Sequence, residues 1–244
     1  MTLIIRGTIT FFCLMLCWHL IVIFFHLPSY ILPTPFVVGK TGLAYFPLIL
    51  THLLPTLLET VIGLIIGLFV GCLTALLMVF ISPITFWVLP LLIISQAVPT
   101  FAIAPLLVIW LGYGMASKIA VTVMMLFFPI TSAFFDGLRR TPSHWLALAK
   151  TMNAKKWRLF WYIRIPRALP ELATGIRVAT AIAPICAIVG EWVGASQGLG
   201  FLMLNANARM QIDLMFAVLF TIIIFSLVLY YVVDHLLRSA IRWH

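Results

Sequence analysis

Apolar residues fall in six long blocks along this chain, at about 8–27, 56–80, 85–111, 117–137, 169–190 and 214–236. Within a block the pattern does not alternate, so a half-buried strand or a membrane barrel strand does not fit. About twenty consecutive apolar residues are what a helix needs to cross a bilayer. A helix also satisfies its own backbone N–H and C=O groups, which lipid cannot do. The pattern therefore predicts an all-α, polytopic membrane protein. It forms one transmembrane domain over 1–244 with six transmembrane helices.

The breaks between blocks predict the rest. Arg6 precedes the first block, which is too long for a signal-peptide core and lacks a small-residue cleavage site. Residues 28–55 carry five prolines and two glycines, Gly39 and Gly42, and read as an irregular external segment, with 46–50 in the interface. The second span then starts near Pro55 or Thr56 and places Glu59 in its first turn, where a carboxylate suits the helix dipole. Gly63, Gly67 and Gly71 form a small-residue row for close helix packing. Ser82-Pro83 reads as a tight inner turn. Pro90, Pro99 and Pro105 interrupt the third span, because each removes a backbone donor. Ser95 and Gln96 lie between those kinks, and two readings stand: polar packing between helices, or the lining of a translocation path with Pro99. Gly112-Tyr113-Gly114 makes an external turn, with Ser117 as a helix cap and Lys118 beside it. Asp136-Gly137 closes the fourth span, and residues 191–213 lie outside.

Composition agrees with lipid as the main solvent. The chain is 64% hydrophobic and 9% charged, against roughly a quarter charged in soluble domains. Net charge is +9, which topology explains without nucleic acid. Arg6, Arg238, Arg242 and eight basics between 139 and 168 fall on one side, and Lys40, Lys118 and Arg209 on the other. Basic residues mark the cytoplasmic face, so both termini are expected inside. The four cysteines sit in apolar runs and the six histidines are scattered. Neither set has metal-ligand spacing.

The stretch 139–168, RRTPSHWLALAKTMNAKKWRLFWYIRIPRA, is basic, contains no acid, and interleaves tryptophan and leucine with its charges. Thr141 caps and Pro142 starts a short helix over about 142–152. Trp145, Leu148, Ala149 and Met152 recur at i, i+3, i+4 and i+7 and make one apolar face. Asn153 takes the left-handed position after it, and a second helix over about 155–164 ends at Pro166. This predicts a helix–turn–helix on the inner membrane face.

These residues resemble the cytoplasmic loop of membrane-spanning permease subunits in bacterial, binding-protein-dependent ABC importers. That loop reads Glu-Ala-Ala, three residues, Gly, then an Ile-x-Leu-Pro-like end. Here Ala147, Leu148 and Ala149, then Asn153 and Ala154, then Ile163, Ile165 and Pro166 correspond. The acidic position is Ala147 and the loop glycine is Asn153. GEWVGASQGLG at 190–200 and NARMQIDLMFA at 207–217 resemble the branch serving sulfonates, taurine, nitrate and thiamine precursors. FFPITSAFFDGLRRTP at 127–142 and PICAIVGEWVG at 184–194 look closest to hydroxymethylpyrimidine permeases.

The resemblance implies a type I importer permease in the bacterial inner membrane, paired with a second copy. It implies a cytoplasmic ATP-binding subunit seated on Trp145, Ala147, Leu148, Ala149, Met152, Asn153 and Ala154. It also implies an extracytoplasmic solute-binding protein. ATP and Mg would be used by the ATPase partner, since this chain has no GxxxxGK[ST] loop. The chain is accordingly expected to bind no cofactor or metal and to be no enzyme. The implied cargo is a hydroxymethylpyrimidine-like thiamine precursor, with aliphatic sulfonate, taurine or nitrate as alternatives. An ion-coupled secondary transporter is the rival of another class; it calls for mid-bilayer acids and inverted repeats. Arg177 lies within the fifth span and reads either as an intramembrane functional charge or as a residue snorkelling to the inner end. Glu191 reads as an outer gate or binding-protein contact, or as an interfacial carboxylate.

Overall fold

The computed structural model describes residues 2–241, and the side chains of 2–8, Phe11 and Ser82 are outside the described part. The inner-face basic residue Arg242 therefore lies outside it, as does the Arg6 side chain. The elements are α1 (Thr2–Phe24), α2 (Pro35–Ala44), α3 (Phe46–Phe80), α4 (Ser82–Ala97), α5 (Thr100–Leu111) and α6 (Met115–Arg139). They continue as α7 (Ser143–Thr151), α8 (Lys156–Leu159), a π-helical turn (Phe160–Arg164), α9 (Ile165–Trp192), α10 (Leu199–Ala208) and α11 (Ile212–Ala240). No strand occurs among the described residues.

Four helical runs are long and apolar enough to cross a membrane: Phe46–Phe80, Met115–Arg139, Lys156–Trp192 and Ile212–Ala240. Pro83–Ala97 and Thr100–Leu111 make a fifth when taken as one span bent by 102°. The first expected span falls on α1.

Several boundaries differ from the sequence expectation, each for a local reason. The segment 28–55 is mostly helical: Thr34 caps α2 by accepting from Val37 N, and α3 begins at Phe46. Pro55 lies inside α3 and does not start it. At 35 residues α3 is about 50 Å long, well beyond a hydrocarbon core of about 30 Å. Glu59 is thus mid-helix. Ser82-Pro83 opens α4 after a break at Ile81. Of the three prolines in the third span, Pro90 and Pro105 stay within helices. Only the Val98-Pro99 step breaks the chain direction, because Val98 is extended before the proline ring. Residues 191–213 contain α10.

Two compact units divide the chain, Met1–Pro55 with Ser196–Ile224, and Thr56–Ala195 with Phe225–His244. In the first, Thr41 Oγ1 donates to Asp213 Oδ2 at 2.8 Å, joining α2 to α11. Trp18 packs on Phe216 and Phe220. Gly198 N donates to His52 Nδ1 at 3.1 Å.

The second unit is built on α6 against α9, with α3 alongside. Leu64, Leu126, Ile130, Ala179, Ala183 and Cys186 form one core cluster. Ala75, Met78, Phe134, Phe135, Leu138, Phe160 and Ala168 belong to another. The glycine row of α3 faces α6. A Cβ on Gly63 would come 2.5 Å from Thr122 Cγ2, and those on Gly67 and Gly71 would press on Leu126 and Ile130. Thr122 cannot swing away freely, since it is buried and its hydroxyl donates to Lys118 O. Gly63→Ala should therefore lower stability by about 1–3 kcal/mol through overpacking. Gly39→Ala, with nothing near its Cβ, should be neutral or gain up to about 1 kcal/mol from helix propensity. Thermal unfolding of the two purified variants checks the contrast.

Candidate functional site

The central basic stretch folds as a short helix, a sharp turn and a second helix. Pro142, not Thr141, is the cap of α7; Thr141 is buried and donates to Leu138 O. α7 stops where expected. Asn153 has φ 56°, its N–H donates to Lys150 O, and Ala154 N reaches back to Ala149 O. Those bonds take up the last carbonyls of α7. Asn153→Gly should be neutral to slightly stabilising, whereas Asn153→Val should cost about 1–2 kcal/mol at this left-handed position. Thermal melts of the two variants read this.

The expected end at Pro166 is not found. The π-helical turn carries the chain past it: Ile165 N donates to Phe160 O, five residues back. A wider turn makes room for a proline ring that cannot donate to the preceding turn. Helix then runs without a break from Lys156 to Trp192.

The apolar face of α7 divides in two. Ala149 turns inward and is buried, while Trp145, Ala147, Leu148 and Met152 are exposed, Leu148 at 62% and Met152 at 75%. Between this face and the following helical run lies a groove of about 920 Å³, lined by Trp145, Leu148, Ala149, Met152, Asn153 and Ala154, with Arg158, Tyr162 and Arg167 across from them. Large exposed apolar side chains beside basic ones are the composition that interaction surfaces share.

The expected path or gate residues do not come together. Ser95 donates to Leu92 O of its own helix, and Gln96 and Pro99 are exposed at the α4–α5 bend. Arg177 has a partner: its Nε donates to Asp234 Oδ1 at 2.6 Å on α11. Asp234 also accepts from Arg238 Nε at 2.8 Å. The guanidinium is thus tied to a neighbouring helix, next to Arg238. This chain of charges borders a cavity of about 630 Å³ lined also by Glu171 and Thr174.

Glu191 is not an interfacial carboxylate. It is 1% exposed, within α9, and accepts from Thr56 Oγ1 of α3. Its carboxyl meets that of Glu59, also 1% exposed. Lys118 Nζ of α6 lies 3.0 Å from Glu59 Oε1. Lys118 is therefore no loop cation, and Ser117 is no cap; α6 starts at Met115, and the Ser117 hydroxyl donates to Gly114 O. Two carboxyl groups and one ammonium join α3, α6 and α9 in a buried knot. Nearby Thr60 and Thr122 satisfy their hydroxyls within their own helices. Sequence reasoning missed this knot because it placed Glu59 and Lys118 at helix ends. One signal was available: three charges fall near the outer ends of three apolar blocks.

The chain thus combines helices long and apolar enough to cross a membrane with an exposed helix–turn–helix, and comparison with known proteins gives its class. Residues 63–242 match the family described as the binding-protein-dependent transport system inner membrane component, and this chain belongs to that family. It is 50% identical over 228 residues to a probable ABC transporter permease of Haemophilus influenzae, covering 93% of each chain. It is 36% identical over 240 residues to the formylaminopyrimidine transport permease ThiX of Halalkalibacterium halodurans, covering 98% of this chain and 96% of the other. The taurine transport permease TauC of Escherichia coli is 28% identical over 64% of this chain and 56% of its own. In fold the chain resembles the inward-facing MetNI methionine ABC transporter, with a TM-score of 0.69 at 18% identity over 80% of this chain and 97% of that one. The fold is that of type I ABC importer permeases, and the protein is a multi-pass inner-membrane transport subunit.

Proposed function

We propose that this chain forms the translocation path of an ATP-driven importer for a pyrimidine thiamine precursor, delivered by an extracytoplasmic binding protein. The near full-length similarity to a formylaminopyrimidine permease carries this reading. Two copies pair, each seating α7 on a cytoplasmic ATPase subunit through Leu148, Met152 and Trp145. Ala147 and Ala154 border that contact, and both termini lie on the same side. The ATPase uses ATP and Mg; this chain supplies the moving bundle. ATP closure of the motor drags α7 and biases the bundle between inward-open and outward-open states, a population shift driven by differential binding.

The test is uptake in liposomes holding this chain, its cognate ATPase and its binding protein. ATP-dependent entry of labelled formylaminopyrimidine or hydroxymethylpyrimidine, with taurine and nitrate excluded, is the expected result. Taurine entry at the expense of the pyrimidines would replace the cargo and leave the machinery standing. Uptake by this chain alone, driven by an ion gradient, would overturn the importer reading.

A further inference from the structure

A second pocket lies on the opposite flank of α7. It measures about 530 Å³ and is lined by Lys150, Lys156 and Arg164 together with Phe80, Trp157 and Phe160. No acidic residue contributes to its wall. Phe80 holds the aromatic side in place, 4.3 Å from the Phe160 ring and 6.1 Å from that of Trp157 between centroids. The Nε of Arg164 is buried and makes no hydrogen bond. Three cations with no acid in the wall call for an anion.

The level of the pocket says which kind of anion. Phe80 is the last residue of the span Phe46–Phe80, and Lys156 is the first of Lys156–Trp192. The pocket thus sits beside the last residue of one apolar span and the first of another. Exposed Phe80, Trp157 and Trp161 continue its apolar rim, as side chains do where a ring meets both acyl chain and water. A soluble anion would need the cations but not the rim.

We propose that this pocket holds the headgroup of an anionic phospholipid, with its phosphate among Lys150, Lys156 and Arg164 and its acyl chains along the aromatic rim. Basic pockets between helices at the inner surface bind such headgroups. Lys150 belongs to α7 and Arg164 to the π-helical turn, so one lipid would join the docking helix to the span that follows.

Native mass spectrometry of the full chain with phosphatidylglycerol or phosphatidylcholine of identical acyl chains tests this. One phosphatidylglycerol should be retained under conditions that strip phosphatidylcholine. A Lys150→Gln/Lys156→Gln/Arg164→Gln variant should lose retention by about tenfold or more, while an equal charge removal by Arg139→Gln/Arg140→Gln/Lys155→Gln should change it by less than about twofold. Equal losses in the two variants would mean general surface attraction and overturn the site. Equal retention of the two lipids by the unaltered chain would overturn it without any variant. Displacement of the lipid by inorganic phosphate would assign the pocket to a soluble anion.

Discussion

Leu148→Glu should abolish attachment of the ATPase subunit and, with it, uptake, while the bundle folds normally. Leu148 is mostly exposed on α7 and belongs to neither core cluster of the second unit, so a carboxylate there meets water in the free chain. In the complex it would lie in a desolvated contact. Central apolar anchors typically cost about 2–4 kcal/mol when lost, roughly 30- to 1,000-fold in affinity. A buried unpaired charge adds to that. Co-purification with the ATPase, ATP-driven uptake and the thermal melt of the variant are the three readouts. Ala149→Glu is the informative contrast, because Ala149 is buried against the chain itself. That change should lower the melting temperature as well as attachment. Unchanged attachment and uptake in Leu148→Glu would remove α7 as the route of force.

Lys118→Met is expected to be the most destabilising single change in the second unit. Its side chain is 9% exposed and pairs with a glutamate exposed by only 1%. Removing the ammonium takes from Glu59 the cation it pairs with, while the Glu191 carboxyl stays close by. Breaking a buried pair in this way costs about 3–5 kcal/mol. Combining Lys118→Met with Glu59→Gln should recover much of the loss, because the double change removes both halves of the pair. The measurement is a double-mutant cycle on thermal stability of the purified protein. Additive losses would mean the two groups do not interact. Thr56→Val, which removes one hydroxyl donated to Glu191, should cost less, about 0.5–1.5 kcal/mol for one lost hydrogen bond.

The outline of this protein was legible from hydrophobicity because lipid leaves few choices: a run of twenty apolar residues is a helix or nothing. The turn at Asn153 was equally legible, since the residue type and its place after an amphipathic run agree. Prolines misled in both directions. Pro55 and Pro166 lie in continuous helix, the second absorbed by a widened turn, whereas Pro99 bends the chain by 102°. A lone sequence does not say which freed carbonyl finds another partner. The charges misled more. Glu59, Lys118 and Glu191 lie 59 and 73 positions apart in sequence, and each has an innocent local explanation at a helix end. Their meeting depends on three helices packing side by side, which periodicity does not encode. Arg177 and Asp234, on α9 and α11, were hidden for the same reason.

The unbroken helix from Lys156 to Trp192 joins the two predictions. At 37 residues it is about 55 Å long. Its first residue follows the turn after α7, and Glu191 is its next-to-last. Because the run is continuous through its π-helical turn and past Pro170 and Pro184, a push delivered at one end should reach the other as a tilt or slide of the same helix. The acid–lysine knot is then the far bearing of that rod, and loosening it should let the motor turn over without moving cargo.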